Sequence, residues 1–232
     1  MISTIITHRN RLSLLYQCLD ALLVNKPADA EIVVVDLQSH TRFSQPGVRV
    51  MEVLYNGPFW KTKAANYGAL GAAGNIVGFL DADIVAPFNY WELASKAVEY
   101  DRVCCNVFNE KDGKRAYFAY DDWQSQTGEM PVGNSIMMLK KNDFLAVGGY
   151  DERIIGRDYE DQDLIARLNA YFIKKNGRMN NYCDYDAHFI HLKHEYEPDW
   201  VDRGRRQPNL DVFENNLKNK VIKVENPDMG KF

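Results

Sequence analysis

The feature that most constrains the fold is an alternation of short apolar runs with amphipathic stretches over the first 100 residues. Apolar runs at residues 2–6, 31–35, 48–54 and 76–80 are rich in β-branched side chains and predict strands. The stretches between them contain helix-forming patterns, the clearest of which has leucines at helical spacing over residues 12–23. Continuous apolar strands separated by helices predict a largely parallel sheet covered on both faces. The sequence therefore predicts an α/β fold.

Polar residues follow the predicted strands where each strand ends. Thr7 and His8 follow the first strand, Asp36 follows the second, and Asp81 and Asp83 follow the fourth. In a parallel sheet these ends meet at one edge, where α/β proteins bind their ligands. We therefore expect these side chains to form part of a ligand site.

Composition excludes several classes of protein. The chain has 232 residues, 46% hydrophobic and 26% charged, which excludes wholesale disorder. A net charge of −4 argues against a nucleic-acid binder held by phosphate contacts. No apolar run approaches the roughly 20 residues of a transmembrane segment. Four cysteines without a CxxC pair favour a reduced, cytoplasmic protein.

Two carboxylates stand two residues apart directly after a buried strand. This spacing allows Asp81 and Asp83 to approach one point, and carboxylate oxygens suit Mg²⁺ or Mn²⁺ bound to a diphosphate. The alternative is a loop in which the aspartates cap the next turn, because this short pattern is common.

A second acidic group begins the helix predicted over residues 160–172. Glu160 and Asp161 stand at the head of its apolar stripe, where they can face a cleft, and a carboxylate there can act as a general base. Asp163 lies in line with Arg167 and predicts an ion pair between residues four apart. The alternative is that carboxylates stand here only because they favour a helix start.

Three histidines lie close together near the end of the predicted domain. His191 and His194 would complete a cation site if the fold brings them beside Asp83, whereas no metal-binding role is expected for His188. Surface or capping roles remain open for all three. Zinc is disfavoured because no cysteine pair or HExxH helix accompanies them.

These segments occur in the order found in GT-A glycosyltransferases, and the chain resembles the family 2 type over about residues 1–200. Its later half also resembles the carboxyl-terminal part of the galactosyltransferase-like group, although the turn before Glu160 lacks the usual Trp-Gly-Gly. The matching segments are Thr7-His-Arg-Asn-Arg11, Val33-Val-Val-Asp36, Lys63-Ala-Ala-Asn66, Phe79-Leu-Asp81-Ala-Asp83, Gly148-Gly-Tyr-Asp-Glu152, Tyr159-Glu-Asp161-Gln-Asp-Leu164 and His191-Leu-Lys-His194.

The resemblance implies a GT-A fold with a central, mostly parallel sheet flanked by helices. It implies one domain over residues 1–205, with a nucleotide-binding half at 1–110 and an acceptor-binding half at 111–205. Residues 206–232 are expected to form a carboxyl-terminal helix or tail, with the last eight residues loose.

The resemblance also implies a role for each matched residue. Asp161 would be the catalytic base and Glu160 would bind the acceptor. Asp83 would be the main metal ligand, with His194 and His191 beside it, and the cofactor would be Mn²⁺ or Mg²⁺. The residues expected to bind the nucleotide sugar are Thr7, Arg9, Asp36, Lys63, Asn66 and Asp81. Trp123, beside two aspartates, is expected to stack on an acceptor sugar, although packing is the commoner role of an aromatic residue.

The implied function is metal-dependent transfer of a sugar from a nucleotide donor, UDP-sugar by preference, to a hydroxyl of a glycan or glycoconjugate acceptor with inversion. A retaining transferase of the same fold is an alternative. A sugar nucleotidyltransferase is disfavoured because residues 7–10 contain no glycine-rich loop. A non-catalytic nucleotide-sugar-binding module is also disfavoured, because neither the metal carboxylate nor the base is missing.

Overall fold

A computed structural model of the protein describes residues 1–111, 113–117, 136–194 and 205–232. The described residues form a nine-stranded sheet with helices on both faces. The strands are β1 (Ile2–His8), β2 (Ala30–Leu37), β3 (Val48–Val53), β4 (Ile76–Asp81), β5 (Ile84–Val85), β6 (Arg102–Asn109), β7 (Arg115–Tyr117), β8 (Met137–Lys140) and β9 (Asn181–His191). The helices are α1 (Leu12–Leu23), α2 (Lys61–Gly71), α3 (Tyr90–Ser95), α4 (Lys141–Ala146), α5 (Glu160–Asn176) and α6 (Arg206–Lys218).

The strand order is β3-β2-β1-β4-β8-β6-β9-β5, with β7 paired to β6. The first four strands in this order are parallel, as the sequence predicts. β8 runs antiparallel to both β4 and β6, whereas β6 and β9 are parallel to each other. The sheet is therefore mixed, and its longest parallel part is the half that contains β1 to β4.

The apolar strands predicted from the sequence bury both of their faces. In β2, Ile32 and Val34 pack with the layer formed by α1 and α3, while Val33 and Val35 pack with α2, α4 and α5. Alternate residues of a strand point to opposite faces, so a continuous apolar run requires a cover on each side. The predicted pair Asp163–Arg167 is present, with 2.7 Å between Oδ2 and Nη2, and both side chains are buried.

The carboxyl-terminal segment is part of the packed domain, so the expectation of a loose tail is wrong. The Asn226 side chain donates hydrogen bonds to the carbonyls of Gly148 and Tyr150, and the Gly230 amide donates to Glu152. The Phe232 ring packs edge-on against Tyr55. These contacts come from one amide side chain, a backbone N–H and a single ring, which give no periodic sequence signal.

Within the described ranges, no helix combines the length and apolarity needed to cross a membrane.

Candidate functional site

The sheet register places the predicted polar residues side by side at one edge. Thr7 lies opposite Asp81 in the β1–β4 pair, and His8 lies opposite Asp36 in the β1–β2 pair. Three strand ends therefore meet at the edge where ligands bind in sheets of this kind.

Asp36 is held in an ordered group at this edge. Its Oδ1 accepts hydrogen bonds from the Ser39 hydroxyl at 2.5 Å and the Ser39 amide at 3.1 Å. The Nε2 atom of buried His8 accepts a hydrogen bond from the Arg11 amide, which leaves the proton of a neutral ring on Nδ1, facing Ser39 and Asp36. Burial raises the pKa of Asp36, but the hydrogen bonds from His8 and Ser39 outweigh it and hold the pKa below its usual value.

The turn after β4 brings Asp83 against the end of β9. β5 pairs antiparallel with β9, so Ile84 lies opposite His191, and the Leu192 amide donates to the Asp83 carbonyl at 2.9 Å. His194 Nε2 then lies 2.9 Å from Asp83 Oδ2, and His191 Nε2 lies 4.0 Å from the same oxygen. The predicted approach of the two histidines to Asp83 is therefore present.

This donor set fits a divalent cation. One ligand atom from each of Asp83, His191 and His194 lies within 4.8 Å of the others. A carboxylate with two imidazoles suits Mn²⁺ better than Mg²⁺, because Mg²⁺ prefers an all-oxygen shell. Burial raises the pKa of Asp83, but the hydrogen bond from His194 and the charges of His191 and Arg11 bring it below its usual value. The carboxylate is thus held in the ionised form that a cation needs.

A second charged cluster surrounds the ammonium group of Lys61, the first residue of α2. Lys61 Nζ lies 3.0 Å from Asp81 Oδ1, 3.1 Å from Glu160 Oε1 and 3.8 Å from Asp161 Oδ2. Burial alone would lower the pKa of Lys61, but the neighbouring carboxylates hold it well above the usual value. Lys61 therefore joins the Asp81 end of β4 to the start of α5.

The surroundings of Asp161 raise the pKa of its carboxyl group. Burial raises its pKa, Lys61 lowers it, and the carboxylates of Glu160 and Asp81 raise it again, which leaves the pKa of Asp161 at about 7. The Tyr150 hydroxyl donates to Asp161 Oδ1 at 3.4 Å. A carboxylate with a pKa near neutrality is suited to accept a proton during a reaction.

Two residues in a strained backbone conformation come directly before Glu160 and Asp161. Asp158 and Tyr159, immediately before α5, both have positive φ angles, of 74° and 73°. Residues other than glycine reach this region at an energetic cost, which surrounding contacts must offset. The Tyr159 ring stacks on Phe213 of α6 with 5.7 Å between ring centroids, so α6 supports the turn that aims the two carboxylates.

Arg9 lies at the sheet edge, where its guanidinium group binds backbone carbonyl oxygens. It donates to the carbonyl oxygens of Leu37, Tyr55 and Gly57 at 2.6, 2.6 and 2.8 Å. These contacts shape the loop after β3, so Arg9 has a structural role, and the nucleotide-binding role expected for it stays a prediction.

The other two predicted residues of α2, Asn66 and Lys63, have contacts different from those of Lys61. The Asn66 side-chain amide donates to the Tyr150 carbonyl and to the Glu152 carboxylate, and its oxygen accepts from the Tyr150 amide. Asn66 therefore links α2 to the segment that contains Tyr150 and Glu152. Lys63 lies over the Trp60 ring at 4.6 Å and 3.9 Å from Glu152. Trp123 falls outside the described residues.

Sequence reasoning missed Lys61 and Arg11. Lys61 and Lys63 are two residues apart, about 200° around a helix, so only one of them can face the acidic cluster. The sequence did contain one signal. The predicted site held three carboxylates, Asp81, Glu160 and Asp161, and carboxylates that are buried together need a cation nearby. Arg11 stood inside a matched segment, but nothing in the sequence showed that it reaches Asp83.

The chain is similar to known proteins in part of its sequence and in its fold. Residues 107–199 match the family model described as Glycosyltransferase like family 2. The fold is similar to residues 1–349 of S. aureus TarS in complex with UDP-GlcNAc, with TM-score 0.66 and 15% identity over 86% of this chain and 60% of that one. It is also similar to GalNAc-T7 with UDP, GalNAc and Mn²⁺, with TM-score 0.67 and 14% identity over 92% of this chain and 47% of that one. No curated protein matches the chain.

The structural likeness confirms the predicted GT-A fold. The family match confirms the predicted resemblance to the family 2 type for residues 107–199. The chain spans 60% of the TarS structure and 47% of the GalNAc-T7 structure.

Proposed function

We propose that the protein transfers a sugar from a UDP-sugar to a hydroxyl group of a glycan or glycoconjugate, with inversion at the anomeric carbon and with help from a divalent cation. The observation that supports this most is the position of Lys61. Its ammonium contacts Asp81, at the strand edge expected to bind the donor, and Glu160 and Asp161, at the helix start expected to bind the acceptor. The residues expected to serve the donor and those expected to serve the acceptor therefore meet around one ammonium group.

Asp161 is the proposed base. With a pKa of about 7, Asp161 exchanges a proton readily near neutral pH, as a general base must. As the acceptor oxygen forms its bond to the anomeric carbon, the hydroxyl proton passes to Asp161. The bond between that carbon and the β-phosphate oxygen breaks, and UDP leaves with its electron pair. Glu160, beside Asp161, would orient the acceptor through a hydrogen bond.

The cation site completes the donor side of the proposal. Asp83, His191 and His194 would hold Mn²⁺ or Mg²⁺, which when bound offsets the charge of the diphosphate and of the departing UDP. Thr7 and Asp36 stand on neighbouring strands, where they would contact the ribose or uracil. UDP is the preferred nucleotide because the TarS and GalNAc-T7 structures contain UDP or a UDP-sugar. A cytoplasmic location stays a prediction from cysteine usage.

The proposal predicts that UDP binding depends on the divalent cation and on Asp83. Calorimetric titration of the wild-type protein should give UDP binding with Mn²⁺ and little binding with EDTA, and weaker binding of GDP and dTDP. Asp83→Ala should lose the Mn²⁺-dependent part. Asp29→Ala is the matched control, because this exposed aspartate precedes β2 at the opposite edge of the sheet. Equal UDP affinity with Mn²⁺ and with EDTA would contradict the assigned cation site.

A further inference from the structure

Two of the four cysteines lie side by side in neighbouring strands. β6 and β9 are parallel, and their register places Cys104 directly opposite Cys183. The two Sγ atoms are 2.8 Å apart, although the residues are separated by 79 positions in the sequence. Neighbouring strands lie about 4.8 Å apart, which is within the Cα separation of about 4.4–6.8 Å that disulfides span. The backbone therefore holds the two residues at a distance suited to a disulfide.

The alternation of side chains along β6 restricts the pairing to Cys104. Successive residues of a strand point to opposite faces, so Cys104 and Cys105 lie on different faces of the sheet. Cys105 packs in the apolar layer that contains Val103 and Val107. Burial raises the pKa of the Cys105 thiol, and burial also raises the pKa of Cys18 in α1. These two thiols are therefore poor nucleophiles, because the thiolate is the reactive form.

Cys104 and Cys183 differ in their access to solvent. Cys183 is partly exposed, whereas Cys104 is 2% exposed. A small molecule can therefore reach Cys183 first, and the buried Cys104 has to react only with a group already attached to its neighbour. Arg102 Nη2 donates to Cys104 Sγ at 3.6 Å, where its positive charge can stabilise negative charge on the sulfur.

We propose that Cys104 and Cys183 form a reversible disulfide in the folded protein and that the oxidant is a small disulfide such as oxidised glutathione. The pair would be a redox-sensitive modification site. This inference goes beyond the proposed sugar transfer and does not depend on it. In a reducing compartment the two residues would be thiols, and the bond would form when small disulfides accumulate.

Two thiol–disulfide exchanges form the bond. Cys183, as its thiolate, attacks one sulfur of the small disulfide, forms a mixed disulfide and releases one small thiolate. Cys104 then attacks the Cys183 sulfur, which breaks the mixed disulfide and releases the second small thiolate. The protons of the two cysteines pass to the two released thiolates. The cysteines are thereby oxidised, and the small disulfide is reduced by two electrons.

The bond would join two parts of the chain that are far apart in sequence. The closed loop includes α4 and α5, the helix that begins with Glu160 and Asp161. A covalent link of this kind restricts the unfolded chain, so it stabilises the folded protein if the native register accommodates it. We therefore expect the oxidised protein to unfold at a higher denaturant concentration than the reduced protein.

The test is a map of the disulfides in the wild-type protein after oxidation without denaturant. The protein is incubated with oxidised glutathione and then unfolded in excess N-ethylmaleimide, which blocks the remaining thiols. Mass spectrometry of a non-reducing digest should find one pair of peptides joined through Cys104 and Cys183. The number of blocked cysteines should fall from four to two, and dithiothreitol should restore all four.

Two variants accompany the wild type. Cys183→Ser should lose both the link and the oxidation-dependent rise in the unfolding midpoint. Cys18→Ala is the matched control, because it removes a fully buried cysteine of α1 and should keep both. Circular dichroism of each variant establishes that the fold is retained.

Three results would contradict the proposal. Four blocked cysteines after oxidation, or a stable mixed disulfide at Cys183 with Cys104 still blocked by N-ethylmaleimide, would mean that the bond does not form. A link through Cys18 or Cys105 would mean that unfolded protein reacted. A link between Cys104 and Cys183 that leaves the unfolding midpoint unchanged or lower would mean that the native register does not accommodate it. None of these results bears on sugar transfer.

Discussion

Asp161→Asn is expected to lower the rate of sugar transfer by a factor of about 10² to 10⁴, because asparagine cannot accept the acceptor proton. The change keeps the size of the side chain and preserves an acceptor for the Tyr150 hydroxyl, which lies 3.4 Å from Asp161 Oδ1 in the wild type. UDP affinity should stay close to the wild-type value, since Asp161 stands on the acceptor side of Lys61. Steady-state kinetics and UDP titration of the same preparation measure the two effects.

Asp158→Asn is the matched control for this variant. It makes the same chemical change three residues earlier, and asparagine tolerates the positive φ angle of 74° at that position. Its transfer rate should lie within a few-fold of the wild type. If Asp161→Asn kept wild-type transfer rates, Asp161 could not be the base, and the assignment of inversion would lose its support.

Lys61→Met is expected to lower the rate of sugar transfer strongly and to shift the pH dependence of that rate. A base works in its deprotonated form, so the wild-type rate should rise with pH through the Asp161 pKa of about 7 and level off above it. Lys61 lowers the pKa of Asp161, so its removal raises that pKa and moves the rise in rate to higher pH. A pH–rate profile of the wild type and the variant measures the shift.

Stability should fall in the same variant. Lys61 contacts Asp81, Glu160 and Asp161, and leaving buried carboxylates without their cation costs about 3–5 kcal/mol. Lys63→Met is the comparison, because Lys63 lies over Trp60 on another side of α2. Denaturant unfolding and the pH–rate profile should both change more for Lys61→Met than for Lys63→Met. The reverse order would mean that Lys63 is the lysine that serves the site.

The part of the fold that follows from apolar periodicity could be predicted from the sequence. Helix α1 at Leu12–Leu23 matches its predicted bounds, because leucines at helical spacing form one buried face. The strand edge with Asp36, Asp81 and Asp83 could also be predicted, since parallel strands end on the same side. The direction of β8, which runs antiparallel to β4 and β6, could not be predicted, because tertiary structure determines which strands pair. The strand β5 has only two residues, too few for a periodic pattern.

A site residue could be predicted where its side chain suits a known chemistry and its position in the sequence matches a motif of the family. Asp83 with His191 and His194 is such a case, and the fold brings the three within reach of one ion. Lys61 and Arg11 were not predictable, since their partners are Asp81, 20 residues along the chain, and Asp83, 72 residues along it. Charge pairing over such separations is fixed by tertiary structure alone.

The identity of the nucleotide released from a UDP-sugar tests the central claim most directly. Wild-type protein is incubated with Mn²⁺ and a panel of UDP-sugars and acceptor glycans, and the nucleotide products are separated by ion-exchange chromatography. The proposed reaction breaks the bond between the anomeric carbon and the β-phosphate oxygen, so it predicts UDP in an amount equal to the sugar transferred. UMP with a sugar 1-phosphate would show cleavage at a phosphorus centre and contradict sugar transfer.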